Sequence, residues 1–401
     1  MKYIMIIEMF CTVMLFSSAV IQNNIQKNER TDEVRHSICC ATIDTISVKS
    51  WELRPFVRFE DNPVLGPDFN SKFLCPITNK MVRWEGRAIV GASAIVRNGK
   101  VNLLYDAEDL SKGFQLNVDG TPGTIRTGLA VSADGTHFKT SPTPVFYPQK
   151  DSLLSQEWPG GCQITRMVEG PDKTYFLYYA AYDGRTSRIF VATSKDLINW
   201  KKHGNVFTLK HGKKYESLWA KSPAIVTAVI NGRLLATRIN GKYWMYWGES
   251  LAGGINISWS DNLIDWNMVE DNKGKPLAIL KERPGYFDNS NIECGVAILN
   301  KNGIVLIYNS FRIRPEGNPD GKGRCSFSGM GQALFNPCDP TKLIDRCNNS
   351  FLFAEKEYEV HGSVNNVTFL TGIIYFKNKL FLYFNGGDRV VSVAHFDYNI
   401  K

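Results

Sequence analysis

The sequence predicts an all-β chain folded as a five-bladed propeller. Three observations carry this: a hairpin written three times, a run of short turn-bounded apolar segments, and no helical period sustained over a dozen residues. The hairpin reads NISWSDNLIDW at 256–266, FVATSKDLINW at 190–200 and LAVSADGTHF at 129–138, the last with Phe in place of Trp. Its serines, Ser132, Ser194 and Ser260, lie 62 and 66 residues apart. Such a repeat is one supersecondary unit per copy, here a four-stranded blade with its Trp or Phe packed between blades. About 330 residues at roughly 65 per unit make five blades around a central channel; a two-sheet sandwich is the competing arrangement. The segments themselves, such as VNLLYDA (101–107), TYFLYYAAY (174–182), RLLATRI (233–239), GIVLIYNS (303–310) and LFLYFNG (380–386), are separated by turns such as RNGK, INGR, NKNG and FKNK.

Taken from the N-terminus, residues 1–19 read as a signal peptide: Lys2, an apolar run broken only by Glu8, then small residues ending in Ala19. Residues 20–55 are polar and aperiodic, an N-terminal arm, and 56–401 form the propeller. The mature chain offers no run of ~20 apolar residues, so it is expected to be secreted with no membrane partner. Without Cys11, eight cysteines remain: Cys39, Cys40, Cys75, Cys162, Cys294, Cys325, Cys338 and Cys347. An even number in a secreted chain fits disulfides, with Cys325, Cys338 and Cys347 close enough for one local bridge; buried thiols are the alternative. Sequons begin at Asn256, Asn348 and Asn366, and Asn348 lies in the most turn-rich setting. Net charge is +8, from 47 basic and 39 acidic residues. Its one concentration, Lys201 to Lys214, reads as a solvated loop, so no nucleic-acid partner is expected.

No metal and no cofactor are expected. The six histidines show no H-x-H or HExxH spacing, the cysteines no C-x-x-C pair, and the chain has no P-loop, dinucleotide fingerprint or G-x-S-x-G elbow. What remains is carboxylates among aromatics. Asp106, Asp183, Glu216, Asp288, Glu293 and Asp388 fall at turns or inner-strand ends, where capping is the ordinary role and chemistry the other. INGKYWMYWG (239–248) sets four aromatics in five positions beside Lys242. That suits the apolar C–H face of a sugar, and it suits core packing equally.

From EDNPVLGP at residue 60 to YFNGGDRVVSVA at 383–394, the order of motifs resembles glycoside hydrolase family 130. Matching strings include EWPGGCQITRMVEGPDKTYFLYYAAYDGR (157–185), ATSKDLINWKKHG (192–204), KSPAIV (221–226), GQALFNPCDPTKLIDR (331–346) and YEVHGSVNNVTFLTG (358–372). The resemblance implies a five-bladed propeller and inverting β-mannoside phosphorylase or β-mannosidase chemistry on an oligosaccharide or glycan. It also exposes departures. The hallmark G-C/V-E-D-P-R, whose Asp is the general acid, here reads Gly161-Cys162-Gln163-Ile164-Thr165-Arg166. F-N-P-A-A reads Val90-Gly91-Ala92-Ser93-Ala94, and L-L-Y-R-A-E-D carries Asp106 for its Arg, which makes Asp106 the one new carboxylate available as a replacement acid.

Other positions match. Arg166, Asp183, Lys221, Lys242, Tyr243 and Asp388 are the implied substrate-binding residues. Glu216 in KKYESLWAKS and Glu293 in NSNIECGVAIL are the implied water-activating carboxylates of the mannosidase-like members. A positioned acid is worth roughly 10²–10⁴ in rate, and Ile has no proton to give. The expectation is therefore a β-mannoside-directed protein with impaired or lost catalysis. The alternatives are an active inverting β-mannosidase and, behind it, a phosphorylase. Oligomeric state is not legible.

Overall fold

A computed structural model describes residues 49–110, 123–313 and 326–398. The expected signal peptide and most of the arm lie outside the described residues. The last part of the arm, 49–55, belongs to the folded body: Trp51 and Leu53 are buried, and Leu53 exchanges backbone hydrogen bonds with the Gln332 side chain at 2.8 and 2.9 Å.

The structure is mostly β. Among the described residues, five antiparallel meanders follow one another. The first runs Ala88–Arg97, Lys100–Glu108, Ile125–Ser132, Lys139–Thr140, and the second Gly161–Glu169, Tyr175–Tyr182, Ser187–Ser194, Lys201–Asn205. The third is built on Ala224–Ile230, Lys242–Trp247 and Ile255–Ser260, and the fourth on Ser290–Asn300, Gly303–Ile313 and Ser326–Phe335. The fifth comprises Thr368–Phe376, Lys379–Gly386 and Val390–Asp397, and Val57–Arg58 from the beginning of the described chain completes it. The first strands of the five sheets touch in sequence order, and the fifth touches the first. Together they line a narrow channel that reaches Ser93, Arg166, Ala224, Gly295 and Gly372.

The repeated hairpin has one physical cause in all three copies. Ser132, Ser194 and Ser260 close the third strand of sheets one, two and three, and each Oγ accepts from the backbone N–H groups two and three residues on. Each hydroxyl donates in turn to Asp134, Asp196 or Asn262. The third residue of each turn, Gly135, Leu197 or Leu263, has positive φ (92°, 70° and 66°). Neighbouring sheets read these turns: the Tyr178 hydroxyl donates to the Leu263 carbonyl and the Tyr383 hydroxyl to that of Gly135. Trp266 is fully buried beside Tyr178. The hairpin is scaffold.

Cys75, Cys162, Cys294 and Cys347 are buried free thiols, and Cys338 is free and exposed. This corrects the expected disulfides for these five: Cys338 and Cys347 are not bridged to each other, Cys162 and Cys294 pack as small apolar groups, and the sulfurs of Cys75 and Cys347 accept from Arg126 and from Gln332 N. Cys325 lies outside the described residues. Of the sequons, Asn256 is fully buried and spends its amide on the carbonyls of Ala252 and Gly254, while Asn348 is exposed.

Candidate active site

Backbone bulges shape a cavity at one end of the first strands. A bulge inserts an extra residue and turns its side chain out of the ladder. Register breaks at Val90, at Ile164–Thr165 and at Asn291, and Val90, Ile164 and Asn291 all line the cavity. Its volume is about 350 Å³, within the ordinary span of small-molecule pockets. Tyr182, Trp219, Phe311 and Phe369 supply aromatic walls.

The chemistry-bearing side chains are brought together by backbone bonds between segments far apart in sequence. The Gly248 N–H donates to the Lys221 carbonyl and its own carbonyl accepts from Cys294 N, so Glu249 and Glu293 face each other in an isolated antiparallel bridge. Lys221 Nζ sits between them, 3.2 Å from Glu249 Oε2 and 3.3 Å from Glu293 Oε2. Trp219 Nε1 donates to Glu249 Oε1 at 2.8 Å, and the Ser222 hydroxyl donates to Glu293 Oε1. Burial opposes the charge on Lys221, but Glu293 and then Glu249 outweigh it and hold the ammonium above its usual range. Burial raises Glu249, with Glu293 adding to the rise against Lys221. Burial, reinforced by Glu293, pushes Asp388 up to about 6. Glu108, beside Arg87, is pushed by burial up to about 8.

Of the residues expected from sequence, Glu293, Lys221 and Asp388 line the cavity together, and so does Ile164. Ile164 is half-buried at φ 50°, a left-handed conformation that β-branched residues rarely adopt and that Asp or Asn tolerates. Arg166 lies below, in the narrow channel, donating to the Thr165 and Leu370 carbonyls; burial lowers its pKa. Asp183 pairs with Arg188 at 2.8 Å and caps its own turn through the N–H groups of Arg185 and Thr186. Glu216 is exposed, ends a short 3₁₀ turn and is not among the cavity-lining residues. Lys242 stands 3.6 Å over the Trp259 ring, and Tyr243 is buried in the core under the Arg238 guanidinium. The aromatic string is thus sheet packing, with Tyr246 bonded to the Pro340 carbonyl and Trp247 to Ser258.

Asp106 does not reach the cavity. It is buried and accepts from Thr165 N and Thr165 Oγ1, both at 2.9 Å, and from Thr127 Oγ1 at 3.3 Å. Asp288 is likewise spent, on Arg283, Arg346 and Tyr308. Sequence reasoning missed Glu249, one residue past the aromatic string it singled out. It also missed Glu108, two residues after Asp106 on the same strand and therefore on the same face.

The chain belongs to glycoside hydrolase family 130, whose sequence description, β-1,4-mannooligosaccharide phosphorylase, matches residues 92–400. It is 28% identical over 341 residues to the 1,2-β-oligomannan phosphorylase of a Thermoanaerobacter species, covering 84% of this chain and 95% of that protein. Among solved structures it resembles a glycosyl hydrolase from Bacteroides ovatus, with 37% identity, TM-score 0.80, and 88% and 96% of the two chains covered. A further structure, from work on family-130 glycoside hydrolases that target β-1,2 mannosidic linkages in Candida mannan, gives 34% identity, TM-score 0.81, and coverage of 87% and 96%.

Proposed function

We propose that this protein is a secreted five-bladed propeller that binds β-mannosides and whose turnover is impaired or lost because Ile164 occupies the proton donor's place. The single observation that carries the reading is that the Ile164 side chain lines the same cavity as Glu249, Glu293 and Lys221. Inverting hydrolysis needs one carboxylate to activate water and one carboxylic acid to protonate the leaving oxygen. Glu249 and Glu293 can serve the first task; an aliphatic side chain cannot serve the second. The five meanders with touching first strands support the propeller, and the Ala19 leader reading supports the secretory address.

An active inverting β-mannosidase is the second reading, favoured by the intact Lys221–Glu249–Glu293 cluster. Phosphorolysis fits less well. Among the described cavity-lining residues Lys221 is the one cation, already paired twice, and it faces Glu249, Glu293 and Asp388; Glu108, pushed up to about 8, adds little charge at neutral pH. A phosphate dianion would meet repulsion there.

The test is to assay the purified protein on β-1,2- and β-1,4-mannooligosaccharides with and without phosphate. Binding without release supports the first reading. Release that Glu249→Gln or Glu293→Gln abolishes supports the second, and no binding at all overturns both.

A further inference from the structure

The cavity has two unlike halves. Sheets three and four bring Lys221, Glu249 and Glu293, and Asp388 borders them, within reach of the charges of Glu293 and Lys221. Sheets five, one and two, contiguous in the order of touching strands, bring Val90, Ile125, Ile164, Val364, Val367 and Phe369, with Glu108, Gln163, Tyr182 and Ser187 among them. Among the described residues, the donors and one carboxylate oxygen near this second half are occupied, while Glu108 Oε1 and Asn385 Oδ1 are buried without a hydrogen-bond partner. Gln163 Nε2 donates to the Gly160 carbonyl, Asn385 Nδ2 to the Val90 carbonyl, and Glu108 Oε2 pairs with Arg87. Asp106, the remaining carboxylate of that strand, is turned onto Thr165.

We propose that the apolar half receives an apolar aglycone, so that the preferred ligand is a β-mannoside carrying an aryl or alkyl group rather than a second sugar. The inference rests on the mannoside reading above and places the mannosyl ring on the charged half. A second sugar on the apolar half would give up hydrogen bonds to water and find few in return, and each hydroxyl desolvated without a partner weakens binding. An aryl or alkyl group loses nothing there and gains by leaving water. The arrangement also accounts for an aliphatic residue at 164: the side chain that cannot donate a proton is of the kind that packs against hydrocarbon.

The experiment is calorimetric titration of the full-length purified chain with methyl β-mannoside, phenyl β-mannoside and β-1,2-mannobiose. The expected order places phenyl β-mannoside first, about tenfold or more ahead of β-1,2-mannobiose, with the more negative heat-capacity change of the two. Ile164→Asp, and separately Phe369→Asn, removes that advantage; two variants on one wall keep the test alive if either fails to fold. If β-1,2-mannobiose binds as tightly as phenyl β-mannoside, this inference is overturned and mannoside binding stands. If none of the three binds, the mannoside reading itself is refuted, and this one with it.

Discussion

Replacing Ile164 by Asp puts a carboxyl where the cavity wall now presents an aliphatic side chain. The backbone already suits the change. An L-residue at left-handed φ costs about 1–2 kcal/mol, most for β-branched side chains and least for Asn and Asp, so the exchange recovers about 1 kcal/mol at φ 50°. Against this stands the lost burial of a half-buried Ile, also about 1 kcal/mol. Stability is therefore expected to change little, with Tm within about 3 °C of the parent. The rate is a different matter. A positioned acid supplies roughly 10²–10⁴, about 3–5 kcal/mol of barrier. Desolvation in a cavity that already raises Glu249 and Asp388 favours the protonated carboxyl an acid must be. The assay is mannose release from β-1,2-mannobiose without phosphate, parent beside Ile164→Asp, across pH 4–9. The variant is expected to exceed the parent by at least about 10², and its rate to fall as pH rises through the pKa of the new acid. Equal rates in the two proteins would refute the placement of the acid at residue 164.

Glu249→Gln or Glu293→Gln in the Ile164→Asp background should remove about 10² or more of the restored rate, read in the same mannose assay. Glu108→Gln should raise Tm at pH 8 and matter less near pH 5. The folded carboxyl, raised to about 8, binds more protons than the unfolded chain between the ordinary Glu pKa and 8, so its contribution to stability falls as pH rises through that window; a pH series of melts in both proteins checks it. Thr165→Val deletes one of the donors to buried Asp106 and should cost about 1–2 kcal/mol by urea denaturation. Expression through a secretory pathway should yield a mature chain beginning at Val20 and a glycan at exposed Asn348, both read by peptide mass spectrometry.

The β character of the chain was legible because each apolar run is bounded by turn residues, and the three serine hairpins are local devices whose bonds span only two or three residues. The cavity was legible only in part. Lys221, Glu249 and Glu293 meet through bonds from Gly248 to Lys221 and Cys294, pairings made across the chain that no local pattern encodes. Glu249 therefore went unnoticed although it follows Gly248 directly. Lys242 and Tyr243 went the other way. Aromatics beside a cation describe a sugar platform and a packed blade equally well, and burial alone separates them. Glu216 had a matching string and no geometry, since the 3₁₀ turn before it leaves its side chain on the surface.

On the proposed reading of Ile164, the residues around it fit one another. Asp106 and Thr165 are partners: Thr165 donates both its N–H and its hydroxyl to Asp106. Proline has no N–H to give, so an Asp at 106 beside a Pro at 165 would be a buried carboxylate short of donors, which costs several kcal/mol. Between these partners and the cavity lies Ile164, held at φ 50° in the bulge that still turns its side chain into the pocket. On the reading proposed above, the bulge aims a hydrocarbon side chain where an acid would stand, and the polar groups beside it are paired with each other. That combination fits the proposed wall, which contacts a ligand without protonating it.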